Sequence, residues 1–150
     1  MLEPLKGEKR ALVAVEPVTG DVRASVRRAL EGAEWRRGVP RGADVALKVN
    51  LGWDLFIPGS ITSPLVAEAL ILEIREHVDS IYMVEADQVL EDVESAFYRS
   101  GMAAVCQRTG VKWVNMERTP SVTVARPDNL ILRDVRRAMW RRRCVSSSCN

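Results

Sequence analysis

Short, almost wholly apolar runs separated by segments of helical period most narrow what this chain can fold into. Ala11–Val15, Asp44–Val49, Ser80–Val84 and Lys112–Asn115 read as strands; Val122–Ala125 and Leu130–Leu132 are candidates for two more. Between them, Val22, Val26, Ala29, Leu30 and Ala33 fall on one face of a helix, with Arg23, Arg27, Arg28 and Glu31 on the other. Ser63-Pro64 opens a second helix, with serine in the N-cap position and proline at the first helical residue. That helix continues through Leu65, Val66, Ala69, Leu70 and Ile74 to about Glu76. Val93–Arg108 reads as helical with a break at Ser100-Gly101 and a stop at Gly110. Strands joined by helices imply βαβ units, and runs without polar alternation suit strands covered on both faces. The expected class is α/β: a mostly parallel sheet of about four to five strands with helices on both faces.

The chain has 150 residues, 47% of them apolar and 28% charged, which fits one globular domain and excludes a mainly disordered or fibrous chain. The longest apolar stretches, such as Leu65–Ile74, are interrupted by Glu68 and Glu73 and are too short to span a bilayer. Met1–Arg10 mixes acids and bases and does not read as a secretory leader, so a cytoplasmic protein without membrane attachment is the expectation. One histidine, His77, leaves little room for a Ser-His-Asp triad or a two-histidine zinc site. It fits a cation near the end of the second helix. Cys106, Cys144 and Cys149 are too few for a disulfide scaffold. Cys106 reads as a core thiol, and the other two supply only half of a closed metal site.

In open α/β sheets, ligands sit beyond the carboxyl ends of the strands. Those ends carry Glu16; Lys48 and Asn50; Glu85 and Asp87; and Asn115 and Glu117. A strand has to end in something polar, and that alone accounts for Glu16 and Glu117. Lys48 is different, because it interrupts the apolar run Val45–Val49, where an ammonium is costly unless paired. Its flexible stem reaches toward the rim, and Glu85 is the expected partner. Two readings stay open: a Lys48–Glu85 pair that orders the rim, or a ligand-binding or acid/base lysine. The connection 50–63 is long for a βα loop and holds Trp53 and Phe56 as apolar cover. Thr62 and Ser63 stand at the mouth of the following helix, where backbone N–H groups favour anions. The candidate ligand-binding set is therefore Lys48, Asn50, Thr62, Ser63, Glu85 and Asp87, with Lys48 and Glu85 as candidate catalytic groups and no metal ligands. No dinucleotide fingerprint, P-loop or ferredoxin-type cysteine motif occurs, so no cofactor is assigned.

Several short motifs in order resemble the N-terminal half of the domain-of-unknown-function family 362 (DUF 362). They are Leu47-Lys48-Val49-Asn50-Leu51, Ile61-Thr62-Ser63-Pro64-Leu65-Val66, Tyr82-Met83-Val84-Glu85-Ala86, Glu94–Met102 and Gly110–Asn115. The likeness covers roughly residues 10–118, with Val49 standing where the family has proline and Glu85-Ala86-Asp87-Gln88 where it has a glycine-rich turn. It implies an incomplete domain, since family members continue with further lysine-bearing strands, and an iron–sulfur association for some members.

From 133 to 143 there are six arginines against one aspartate, although the whole chain is only +2. The expected organisation is an α/β domain over 1–132 and an Arg/Ser/Cys tail over 133–150, disordered or aberrant. The functional expectation is a small-molecule or anion-binding site at the strand carboxyl ends; that it is part of an iron–sulfur-associated redox protein is implied by the family resemblance alone. The alternatives are nucleic-acid binding through the arginine tail, or a truncated half-domain without independent activity. Self-association or a complementing chain would follow from an exposed sheet edge.

Overall fold

The run Ser80–Glu85 (β2) becomes the middle strand of a three-stranded parallel sheet in the computed structural model, which describes residues 12–53, 57–87, 92–125, 127–128, 131 and 134–138. Its neighbours are β1 (Asp44–Lys48) and β3 (Lys112–Asn115), in the order β1-β2-β3. The register places Leu47 beside Met83, Lys48 beside Val84, and Glu85 beside Asn115. The strand carboxyl ends are therefore level, and the polar residues that close each apolar run share one rim.

The crossovers follow from local chemistry. Pro64, at the first position of α2 (Pro64–Ile74), has no N–H to waste and a backbone already set for a helix. Asp92 caps α3 (Val93–Arg99) by accepting from the Glu94 N–H. Gly101 takes a φ of +89°, where a side chain would be strained, and so turns the chain into α4 (Met102–Thr109). Gly110, at φ +74°, ends α4 by donating its N–H to the Cys106 carbonyl. The break at Ser100-Gly101 and the stop at Gly110 are thus both present.

The core joins Ala67 and Ile71 of α2, Val93, Ala96 and Phe97 of α3, and Met102, Val105 and Cys106 of α4 to Met83, Val49 and Leu51, with Leu47, Ile81 and Trp113 against it. These helices gather on one face of the sheet, as crossovers of one hand between successive neighbours require. Phe97 stacks on Trp113 with centroids 4.3 Å apart. The architecture is α/β and mostly parallel.

α1 (Val22–Gly32) packs beside α2, and Glu73 of α2 accepts from both Arg23 and Arg27. Two of the arginines on the polar face of α1 thus form an interhelix clamp. His77 follows α2, directs Nε2 to the Val39 carbonyl at 2.9 Å and meets Trp35 edge-on. It fixes the turn into β2.

Two sequence expectations are corrected. Residues 12–15, the described part of the run Ala11–Val15, are not a strand, and Val13 and Val15 are 77% and 87% exposed. An all-apolar run becomes a strand only where neighbours cover both its faces. The two residues that follow, Glu16 and Pro17, are held to α1 by the Arg28–Glu16 pair and by Ser25 Oγ donating to the Pro17 carbonyl. Residues 134–138 form β5 (Asp134–Ala138), antiparallel to β4 (Ser121–Ala125) in a separate ribbon. The tail's first residues thus pair with the strand expected at Val122–Ala125. Leu130, Leu132, Arg133 and 139–150, with Trp140, Cys144 and Cys149, lie outside the described residues, as does Phe56.

Candidate functional site

Successive strand residues point to opposite faces, so Lys48 and Glu85, one step apart in the register, leave the sheet on different sides. Both stand at a strand end, and the lysine stem is long enough to close over the rim. Lys48 Nζ lies 2.8 Å from both Glu85 carboxylate oxygens. The two partners differ sharply in environment, because the Lys48 side chain is 59% exposed and that of Glu85 only 1%. The Ala86 N–H donates to Glu85 Oε1 at 2.9 Å. A buried carboxylate is thus satisfied from two directions and holds an ammonium that still faces solvent. Lys48 Nζ also donates to the Val49 carbonyl at 3.4 Å, so what it offers beyond the pair is chiefly its charge.

Two residues past Lys48, Asn50 fastens the long connection. Its N–H donates to Thr62 Oγ1 at 2.8 Å, its carbonyl accepts from the Thr62 N–H at 2.9 Å, and its Nδ2 donates to the Ser60 carbonyl at 3.0 Å. These bonds return the chain to the rim where α2 starts. Ser63 occupies the N-cap position with extended backbone, yet its hydroxyl makes no capping hydrogen bond. The capping role expected of that side chain is not taken up. Behind it, the first-turn N–H groups of Leu65 and Val66 have no acceptor within the helix.

Asp87 closes the far side of the rim. Its Oδ1 accepts from the Val93 N–H and from Asn115 Nδ2, each at 3.2 Å. Asn115 is buried, and its Oδ1 accepts from the Glu117 N–H. Sequence reasoning placed Asn115 on the rim but left it out of the candidate set. Its burial opposite Glu85 was the missing signal, and only the register supplies it. The structure therefore brings together Lys48 with Glu85, Asn50 with Thr62 beside Ser63, and Asp87 with Asn115. Glu16 is held by Arg28.

The larger cavities lined by described residues lie elsewhere. One of ≈ 310 Å³ opens at the amino ends of β2 and β3, between Arg75, Asp79, Thr109 and Lys112. Another of ≈ 560 Å³ runs between Val22 and Leu65 along α1 and α2.

Among the described residues, no three His, Cys, Asp or Glu side chains gather to hold a metal ion. Cys106 is buried with its Sγ 3.8 Å from Met83 Sδ, and burial pushes its thiol up to about 11. It stays protonated at neutral pH, whereas a metal ligand must be a thiolate. This is the core thiol that the sequence suggested.

Among the described residues no helix is long and apolar enough to cross a membrane. The model of the family described as "Domain of unknown function (DUF362)" matches residues 45–140, which include Lys48, Asn50, Thr62, Ser63, Glu85, Asp87 and Asn115. The chain matches no curated protein and no solved structure.

Proposed function

The chain belongs to the DUF362 family, and from that premise we propose that its rim binds a small anionic ligand, with Lys48 as the charged anchor. The observation that carries this reading is the unequal pair: a fully buried Glu85 holding a largely exposed Lys48 ammonium. An ion pair kept only for stability gains little from leaving one partner in water. A buried carboxylate that fixes a solvent-facing ammonium fixes the position of a positive charge, which is what an anion site needs. The start of α2 adds unsatisfied N–H groups, and the Asn50–Thr62 bonds hold that helix mouth close to Lys48 along the chain.

Each residue takes a distinct part. Lys48 binds the ligand, Glu85 positions Lys48, Asn50 and Thr62 hold the loop, Ser63 offers an uncommitted hydroxyl, and Asp87 orders the rim through Asn115. No reaction is assigned to Lys48 or Glu85.

Calorimetric titration of the full chain with inorganic phosphate and with small dicarboxylates tests this directly. Replacing Lys48 by Gln removes a charge-assisted contact and should weaken binding roughly tenfold or more. Affinity unchanged in a folded Lys48→Gln variant, or absent in the parent protein, contradicts the proposal.

A further inference from the structure

The end of the sheet opposite the rim is concave. The cavity of ≈ 310 Å³ opens at the amino ends of β2 and β3, just past the last turns of α2 and α4. Such a volume lies at the small end of ligand pockets. Ile81 and Val111 line it, and both pack against the core only in part, so apolar surface remains there to be covered.

Arg75 and Lys112 stand at the same opening. Both are exposed, and among the described residues neither takes an ion pair. Arg75 follows α2 directly, where the helix end favours a cation. That accounts for a basic residue at this position, but not for its lack of a partner. Arg23, Arg27, Arg28 and Arg108 each reach a glutamate, whereas Arg75 keeps its planar fork of donors beside a cavity. A guanidinium of this kind matches a carboxylate in two-point geometry. Asp79 also lines the opening and is already engaged. With two cations against one carboxylate, the lining carries a net charge of +1.

We propose that this cavity binds a small aliphatic monocarboxylate. Its carboxylate meets Arg75, Lys112 adds positive charge at the opening, and its hydrocarbon body covers Ile81 and Val111. One negative charge balances the lining, and Asp79 works against a dianion. No rim residue takes part, so this proposal is independent of the anion site at Lys48.

Two-dimensional amide NMR of the full chain, titrated with 3-methylbutanoate, acetate and inorganic phosphate, tests it. The expected result is saturable shifts at Arg75, Ile81, Val111 and Lys112 with 3-methylbutanoate. Acetate should bind there roughly fivefold more weakly or worse, because it removes less hydrocarbon from water. Phosphate should give no saturable shift at these amides. Arg75→Gln should weaken 3-methylbutanoate roughly tenfold by removing the charge-assisted contact. Lys112→Glu, on a different element, reverses a charge at the opening and should also weaken it roughly tenfold, so the test does not depend on one variant folding. Lys48→Gln, at the opposite end of the sheet, should leave this affinity unchanged. Absence of saturable shifts at the cavity overturns the proposal, as does acetate or phosphate binding there as tightly as 3-methylbutanoate. Affinity unaltered in folded Arg75→Gln or in folded Lys112→Glu overturns it as well, and so does its loss in folded Lys48→Gln.

Discussion

Two glutamates of this fold hold basic partners at similar distances and do different work. Glu73, on α2, accepts from Arg23 at 2.6 Å and Arg27 at 2.8 Å, joining two helices whose arginines are about half exposed. Glu85, at the end of β2, holds Lys48 at 2.8 Å from full burial. Removing an arginine from Glu73 leaves a carboxylate that its second arginine or water can still serve. Removing Lys48 from Glu85 leaves a charge with one backbone N–H and almost no solvent. The difference teaches that the cost of an ion pair lies in the less exposed partner, and that such a cost at a strand end marks a place where geometry is being held.

The comparison can be broken most forcefully at Lys48. Replacement by Met strands the buried carboxylate and should cost about 2 kcal/mol in chemical denaturation, less than a fully buried pair because Lys48 itself is exposed. The double variant Lys48→Met/Glu85→Gln removes the uncompensated charge and should recover more than half of that loss. A double variant no more stable than the single one would show that Glu85 is not the group being stranded.

The helix clamp comes next. Its two arginines hold the Glu73 carboxyl down to about 2, through hydrogen bonds from Arg27 and Arg23. Because that value lies below the ordinary 4.5, the clamp's stabilisation is complete above about pH 4.5 and is lost as pH falls toward 2. Glu73→Gln should therefore cost about 1 kcal/mol at neutral pH, after screening at this exposed surface, and should flatten the acid limb of the stability profile. Equal acid sensitivity in parent and variant would remove the clamp from the account. The smallest effect belongs to Glu68, which Arg108 of α4 holds below the usual carboxylate range by a hydrogen bond. Glu68→Gln should shift stability by about 0.5 kcal/mol and less in high salt.

What was legible in the sequence tracks how local its cause is. The helix start at Pro64, the break at Gly101 and the stop at Gly110 each follow from one residue's backbone preference, and each is present. The partnership of Lys48 with Glu85 was also legible, since an ammonium within an apolar run requires a carboxylate nearby. The fate of residues 12–15 was not, because an apolar run becomes a strand only through a neighbour that its own residues do not encode. The pairing of 134–138 with β4 was hidden by an arginine-rich composition that reads as tail. Asn115 was passed over for the same reason: an asparagine at a strand end looks ordinary until the register sets it beside Glu85 and within reach of Asp87.

The most direct test of the anion site is a two-dimensional amide NMR titration of the full chain with inorganic phosphate. Saturable shifts confined to Lys48, Asn50, Thr62, Ser63 and the first turn of α2, and lost in Lys48→Met/Glu85→Gln, are the predicted result. Shifts that never saturate, or that gather on the arginines of α1 instead of the rim, would contradict it.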